Sequence, residues 1–199
     1  MKRNRFTLVS ALFVTVVMLT ACASDKGPAE RAFKVAEEAV NAVKGEAAKY
    51  VPDQMKSLES ALAALKDKLA KGEYKAVITE AKALGDKAKE VAAAAKAKKD
   101  ELTKTWTELS QGLPKMVEAI QSRVDILSQS KKLPANLTAE KFEQAKSGLA
   151  AAKEEWAKAL ESFKGGMLPE AIGMANSVKK KAVQTMEILG LPIPAGAQA

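Results

Sequence analysis

Met55-Lys56-Ser57-Leu58-Glu59-Ser60-Ala61-Leu62-Ala63-Ala64-Leu65-Lys66-Asp67-Lys68-Leu69, followed by Ala70-Lys71-Gly72-Glu73-Tyr74, is the stretch that decides the fold. Met55, Leu58, Leu62, Leu65 and Leu69 recur at steps of three and four without error. At 3.6 residues per turn this spacing places them along one seam of a helix. Asp53 suits the N-cap, and Gly72 stops the helix. A connection this short forces the next helix to run back antiparallel. The stretch is one arm of a helical hairpin.

Working outward, the spacing predicts a first helix from about Ala29 to Tyr50, with Phe33, Ala36, Val40, Val43, Ala47 and Tyr50 in one stripe. Val51-Pro52 ends it, because the residue before proline is pushed out of the α region. A third helix is expected from Glu73 toward Ser110, on Tyr74, Val77, Ala81, Leu84, Ala88, Val91, Ala95, Leu102 and Leu109. Lys98 interrupts that stripe, and a break at Lys98 to Asp100 is the alternative. Gly112-Leu113-Pro114 reads as the end of this helix and the start of a fourth, carrying Met116 or Val117, Ile120, Val124 and Leu127. After a loop around Pro134, Thr138 caps a fifth helix, on Phe142, Ala145, Leu149, Ala152, Trp156, Ala159 and Phe163. Gly165-Gly166 closes it. The sixth, from Leu168-Pro169, carries Ile172, Ala175, Val178, Ala182, Met186 and Leu189, and Gly190 stops it. Leu191-Pro192-Ile193-Pro194 must be extended, and Ala195 to Ala199 are expected to be disordered. The expected fold is all-α: an up-and-down antiparallel bundle of about six helices over 29–190, with a tail over 191–199.

The two halves echo each other. With a shift of 94 residues Met55 falls on Leu149, Leu62 on Trp156, Leu69 on Phe163 and Gly72 on Gly166. Two copies of a three-helix unit fit this pairing, although alanine-rich helices align easily. Gly72, Tyr74 and Ala76 approximate a Gly-x-Tyr-x-x-Ala pattern, with the alanine one position early. In this the hairpin, about 40 residues long, resembles tetratricopeptide-type helical repeats. The resemblance implies a concave peptide-binding surface only if several hairpins stack.

Composition agrees with a helical chain. Of the 199 residues, 47% are hydrophobic, much of this alanine, and only 5% are aromatic. Ala, Lys, Glu and Leu at helical spacing make long helices and coiled-coil-like bundles. The sequence carries 32 Lys+Arg against 24 Asp+Glu. Charges alternate in sign, as in Lys66-Asp67-Lys68, and read mainly as solvated helix faces with a weak preference for anionic partners.

The N-terminal segment has a different character. Lys2, Arg3 and Arg5 precede an almost unbroken apolar run from Phe6 to Met18, the order of an export signal. The run to Thr20 is about 15 residues, short of the roughly 20 that a membrane span needs. Leu19-Thr20-Ala21-Cys22 directly follows it, and Cys22 is the only cysteine in the chain. Ala21-Cys22-Ala23 also fits plain secretory cleavage, but a lone thiol in an exported protein has no disulfide partner within its own chain. The tetrapeptide resembles the lipobox of bacterial lipoproteins. The resemblance implies cleavage after residue 21, acylation of Cys22 with palmitate-type chains, and anchorage in the cell envelope. Two or more acyl chains anchor stably, each buried methylene contributing about 0.8 kcal/mol. Ala23 and Ser24 carry no aspartate that would resemble an inner-membrane retention signal, so the outer membrane facing the periplasm is expected. Residues 22–28 then form the lipidated N-terminus and a short linker.

Little in the sequence offers catalysis. There is no histidine, the commonest general base and metal ligand. No Glu-x-x-His pair builds a metal site, and Glu37-Glu38 and Glu154-Glu155 are neighbours on different helix facings. No enzymatic activity, metal or cofactor is expected, and export with interspersed acids argues against nucleic acid. The expected function is a non-catalytic interaction or scaffold module with an envelope protein partner. The alternative is a carrier that holds a lipid or other apolar ligand between helices. Tyr74, Trp106 and Trp156 are the candidate groove residues, each otherwise a core residue, and Trp106 lies beside the main stripe of its helix. Labelling cells with radioactive palmitate tests the anchor: the wild type is expected to take label and Cys22→Ala none, and equal labelling of both would refute lipidation.

Overall fold

The computed structural model describes residues 25–197. The expected signal segment 1–21, the expected lipidation site Cys22, residues Ala23 and Ser24 of the expected linker, and Gln198 and Ala199 lie outside the described residues. The described chain is all-α. Helices α1 (Lys26–Tyr50), α2 (Pro52–Ala70), α3 (Tyr74–Gln129), α4 (Ala139–Lys164) and α5 (Leu168–Leu189) precede a short 3-10 turn at Ala195–Ala197. The chain divides into two compact units, the first ending at Lys98 and the second starting at Lys99.

Among the described residues five helices stand where six were expected over 29–190, because α3 runs without a break through Gly112-Leu113-Pro114. Proline inside a helix removes a hydrogen bond and crowds the preceding turn, at about 3 kcal/mol. Against this, Leu113, Met116 and Ile120 are all buried. Burying each such side chain contributes about 1.5–3 kcal/mol, so packing outweighs the breaker. Leu102, Trp106, Leu109, Leu113, Met116, Ile120, Val124 and Leu127 make one stripe across the expected break. The alternative break at Lys98 to Asp100 is absent too.

In the first unit, α1, α2 and the N-terminal part of α3 share one core. Ala29, Ala36, Val40 and Ala47 of α1 meet Met55, Leu58 and Leu65 of α2 and Val77, Ala81, Leu84, Ala88, Val91 and Ala95 of α3. Phe33, Val43, Tyr50, Leu62 and Leu69 of the expected stripes are only partly buried against it. Ala29, Ala36 and Ala47 share the innermost positions with Val40, Leu58 and Val77. Two boundaries differ from expectation. The segment 26–28, expected as linker, is already helical, with Pro28 in the first turn where its missing N–H is no loss. Pro52 rather than Asp53 opens α2, with Val51 as the only residue between the helices.

Gly72 adopts φ +78° at the end of α2, a backbone conformation that costs an L side chain roughly 1–2 kcal/mol. There the Glu73 N–H donates to the Lys68 carbonyl at 3.0 Å and the Gly72 N–H to the Leu69 carbonyl at 3.1 Å, a Schellman motif. Gly166 does the same after α4 at φ +74°, with Met167 N–H to the Ser162 carbonyl at 2.9 Å and its own N–H to the Phe163 carbonyl at 3.0 Å. The two glycines paired by the internal echo therefore make the same turn.

The second unit comprises the C-terminal part of α3, α4 and α5. The Thr138 side chain accepts from the Lys141 N–H at 3.2 Å, as an N-cap should. Ala145, Leu149, Ala152 and Ala159 of α4 face Ala171, Ala175, Val178 and Ala182 of α5, all buried. Lys181 of α5 bonds Glu155 of α4 and, as the main cause, holds its carboxyl below the usual range. After α5 the tail is irregular through Leu191–Pro194, as expected. The expected disorder beyond it is not found at Ala195–Ala197, where the 3-10 turn buries Ala197.

The tightest point between α4 and α5 is Gly148, where an added Cβ would lie 2.5 Å from Thr185 Oγ1. Thr185 is buried and its hydroxyl donates to the Lys181 carbonyl at 2.8 Å, so it has little freedom to yield. Gly148→Ala is expected to destabilise the protein by about 1–2 kcal/mol in urea unfolding, despite its better helix propensity, with Gly148→Ala/Thr185→Ala recovering most of the loss. An unchanged Gly148→Ala variant would contradict the close approach.

Candidate functional site

The candidate groove residues separate. Tyr74 begins α3 in the first unit, half-buried, with its ring 3.9 Å from where a Cβ on Gly72 would lie. Trp106 and Trp156 meet in the second unit. Their rings stack at 5.6 Å and 20°, and Trp106 stacks on Phe163 at 4.4 Å and 13°. Trp106 belongs to the α3 stripe rather than beside it, because Leu102 and Leu109 stand four residues before and three after it, with Leu113 two turns on. Only 5% of it is exposed. It is a core residue between two rings, and stacked aromatics add about 0.5–1.5 kcal/mol to their burial. Phe163, expected inside, is 41% exposed, and Met167 beyond the α4–α5 turn is 46% exposed.

The apolar groove lies elsewhere in the second unit, between α3, α5 and the C-terminal tail. Leu109, Leu113 and Met116 supply one wall, Met186 the other, and Pro192, Pro194 and Ala197 the roof. Its volume is about 650 Å³, within the 300–1,000 Å³ of small-molecule sites. Thr105, Glu108, Lys115, Asn176 and Lys179 bring polar groups to its edge. The extended Pro192–Pro194 segment makes the roof possible, since proline fixes φ and leaves no N–H to satisfy. Lys179 holds the roof, its Nζ donating to the Gly196 carbonyl at 2.9 Å. On the far side of the tail a more polar depression of about 860 Å³ is lined by Lys179, Lys180, Gln184, Glu187 and Ile193 among others.

Neither tryptophan lines the groove. Sequence reading does not bring the lining residues together, because it places Leu113 at a helix boundary, parts Leu109 and Met116 between two helices and leaves Ala195 to Ala199 disordered. The signal available was the unbroken stripe from Leu102 to Leu127. In the first unit a depression of about 460 Å³ is lined chiefly by polar side chains, among them Asp53, Gln54, Ser57, Lys87 and Glu90. Among the described residues no three Asp or Glu side chains converge as a metal site needs, and no helix is long and apolar enough to cross a membrane.

Compared with protein-family models, curated proteins and solved structures, the chain matches none of them. The groove is therefore read from its own geometry. Because Trp106 is sealed between two rings and Trp156 is half-buried, Trp106→Ala is expected to cost about 3–5 kcal/mol in thermal or urea unfolding, and Trp156→Ala measurably less. Equal losses for the two variants would contradict the placement of Trp106 at the centre of the stack.

Proposed function

We propose that the chain is a lipid-anchored, non-catalytic interaction protein of the bacterial cell envelope, tethered through acylated Cys22 and working through the groove of its second unit. The groove is the observation that carries the reading. A concave apolar surface with a few polar groups at its edge is the usual form of a binding site, and here one wall, the α3 stripe, is fixed by burial of its neighbours. The tether rests on the likeness of Leu19-Thr20-Ala21-Cys22 to a lipobox, and the outer-membrane location on alanine rather than aspartate at position 23, directly after Cys22. Lipoprotein, palmitate and periplasm belong together in this reading. The two units are read as copies of one three-helix plan, supported by the matching turns at Gly72 and Gly166.

A second reading, a carrier for a lipid or other apolar ligand, is favoured by the volume of the groove and by its roof of the chain's own tail. In this reading the tail shields from water what the anchor keeps beside the membrane. Photo-crosslinking in intact cells separates the readings. Benzoylphenylalanine at Ala119, an exposed residue at the groove, is expected to give a discrete adduct that the same group at exposed Gln144 does not. An envelope protein in the adduct supports the interaction module, and a lipid supports the carrier. Equal, diffuse labelling at both sites would overturn the groove as the working surface.

A further inference from the structure

We propose that the groove takes a long-chain fatty acid, its hydrocarbon against Leu109, Leu113, Met116 and Met186 and its carboxylate on Lys179. The inference rests on the carrier reading of the groove and adds the ligand class and the residue that selects it. Both apolar walls and the roof come from one unit, so the site needs nothing from the rest of the chain.

Charge complementarity selects the head group. Lys115 and Lys179 outnumber Glu108 at the groove, and Lys179 and Lys180 outnumber Glu187 across the tail. Lys179 is the one charged residue common to both depressions, and it stands at the lip where a buried chain would emerge. Its Nζ already points to the tail, giving one of an ammonium's three donors to the Gly196 carbonyl. A carboxylate is a stronger acceptor for a lysine than a neutral carbonyl, because both partners are then charged. The head group can therefore join or replace Gly196 at Lys179. Between Leu191, whose N–H donates to the Met186 carbonyl at 2.9 Å, and Lys179's bond to Gly196, Pro192 and Pro194 have no N–H to present to the hydrocarbon. Lys115 is the less suitable anchor, since it is exposed and touches only the groove.

The test uses the full mature chain carrying Cys22→Ser, which lacks the acylated thiol and is handled without detergent. Palmitate and hexadecanol, which share a chain and differ in head-group charge, are titrated by calorimetry. Palmitate is expected to bind at one site, with Lys179→Met weakening it about tenfold while hexadecanol changes less than about twofold. Ala119→Trp, which fills the groove from an exposed position, is expected to abolish both, with circular dichroism confirming the fold of each variant. Palmitate and hexadecanol bound equally by the wild type, or a loss caused by Lys115→Met in place of Lys179→Met, would overturn the assignment of the carboxylate to Lys179 but leave the groove as a site for apolar chains. No binding of either, or binding that Ala119→Trp leaves intact, would overturn the fatty-acid site. The crosslinking at Ala119 would still report on the groove as a protein-binding surface.

Discussion

Burial of a stripe of α3 within each unit is the interaction on which that unit depends. The helix lends Val77 to Ala95 to the core of the first unit and Trp106 to Leu127 to that of the second. Had it broken at Pro114, Leu113 would not share a face with Leu109 and Met116, and the groove would lose a wall. A proline in mid-helix is therefore tolerated where the neighbouring side chains have most to gain from the core.

Turns and small residues do the rest. Gly72 and Gly166 each close a helix through the same pair of backbone hydrogen bonds, so the helix that follows starts two residues later in a fixed direction. Between α4 and α5 contact is made through alanines and through Gly148 against Thr185. Close backbone approach replaces large side chains as the source of packing, in keeping with a chain of only 5% aromatic residues. Trp106, Trp156 and Phe163 form one stack in the second unit, while Phe33, Tyr50 and Tyr74 pack on the core of the first.

The hairpin around Gly72 was legible because periodicity and glycine pointed the same way. So were the cap at Thr138 and the class as a whole. Pro114 was misleading because periodicity and punctuation disagreed there, and punctuation was given precedence. The stripe from Leu102 through Trp106 and Leu113 to Leu127 already contained the answer, since tertiary burial overrides a local propensity of a few kcal/mol. The tail was illegible for another reason. Pro192 and Pro194 announce extended chain, but which surface an extended chain lies on is a long-range matter. Lys179 reaching Gly196 across 17 residues leaves no trace in local spacing. The groove depends on both the continuity of α3 and the course of the tail, whereas Trp106 marks the core.

The account joins an anchor read from Cys22 to a groove read from α3, α5 and the tail. Native mass spectrometry of the protein released gently from its own membranes tests that join most directly. The account predicts a chain beginning at Cys22, heavier than its sequence by its acyl groups, with a further non-covalent partner that is lost in Ala119→Trp. A chain of unmodified mass, carrying no partner that depends on the groove, would contradict it.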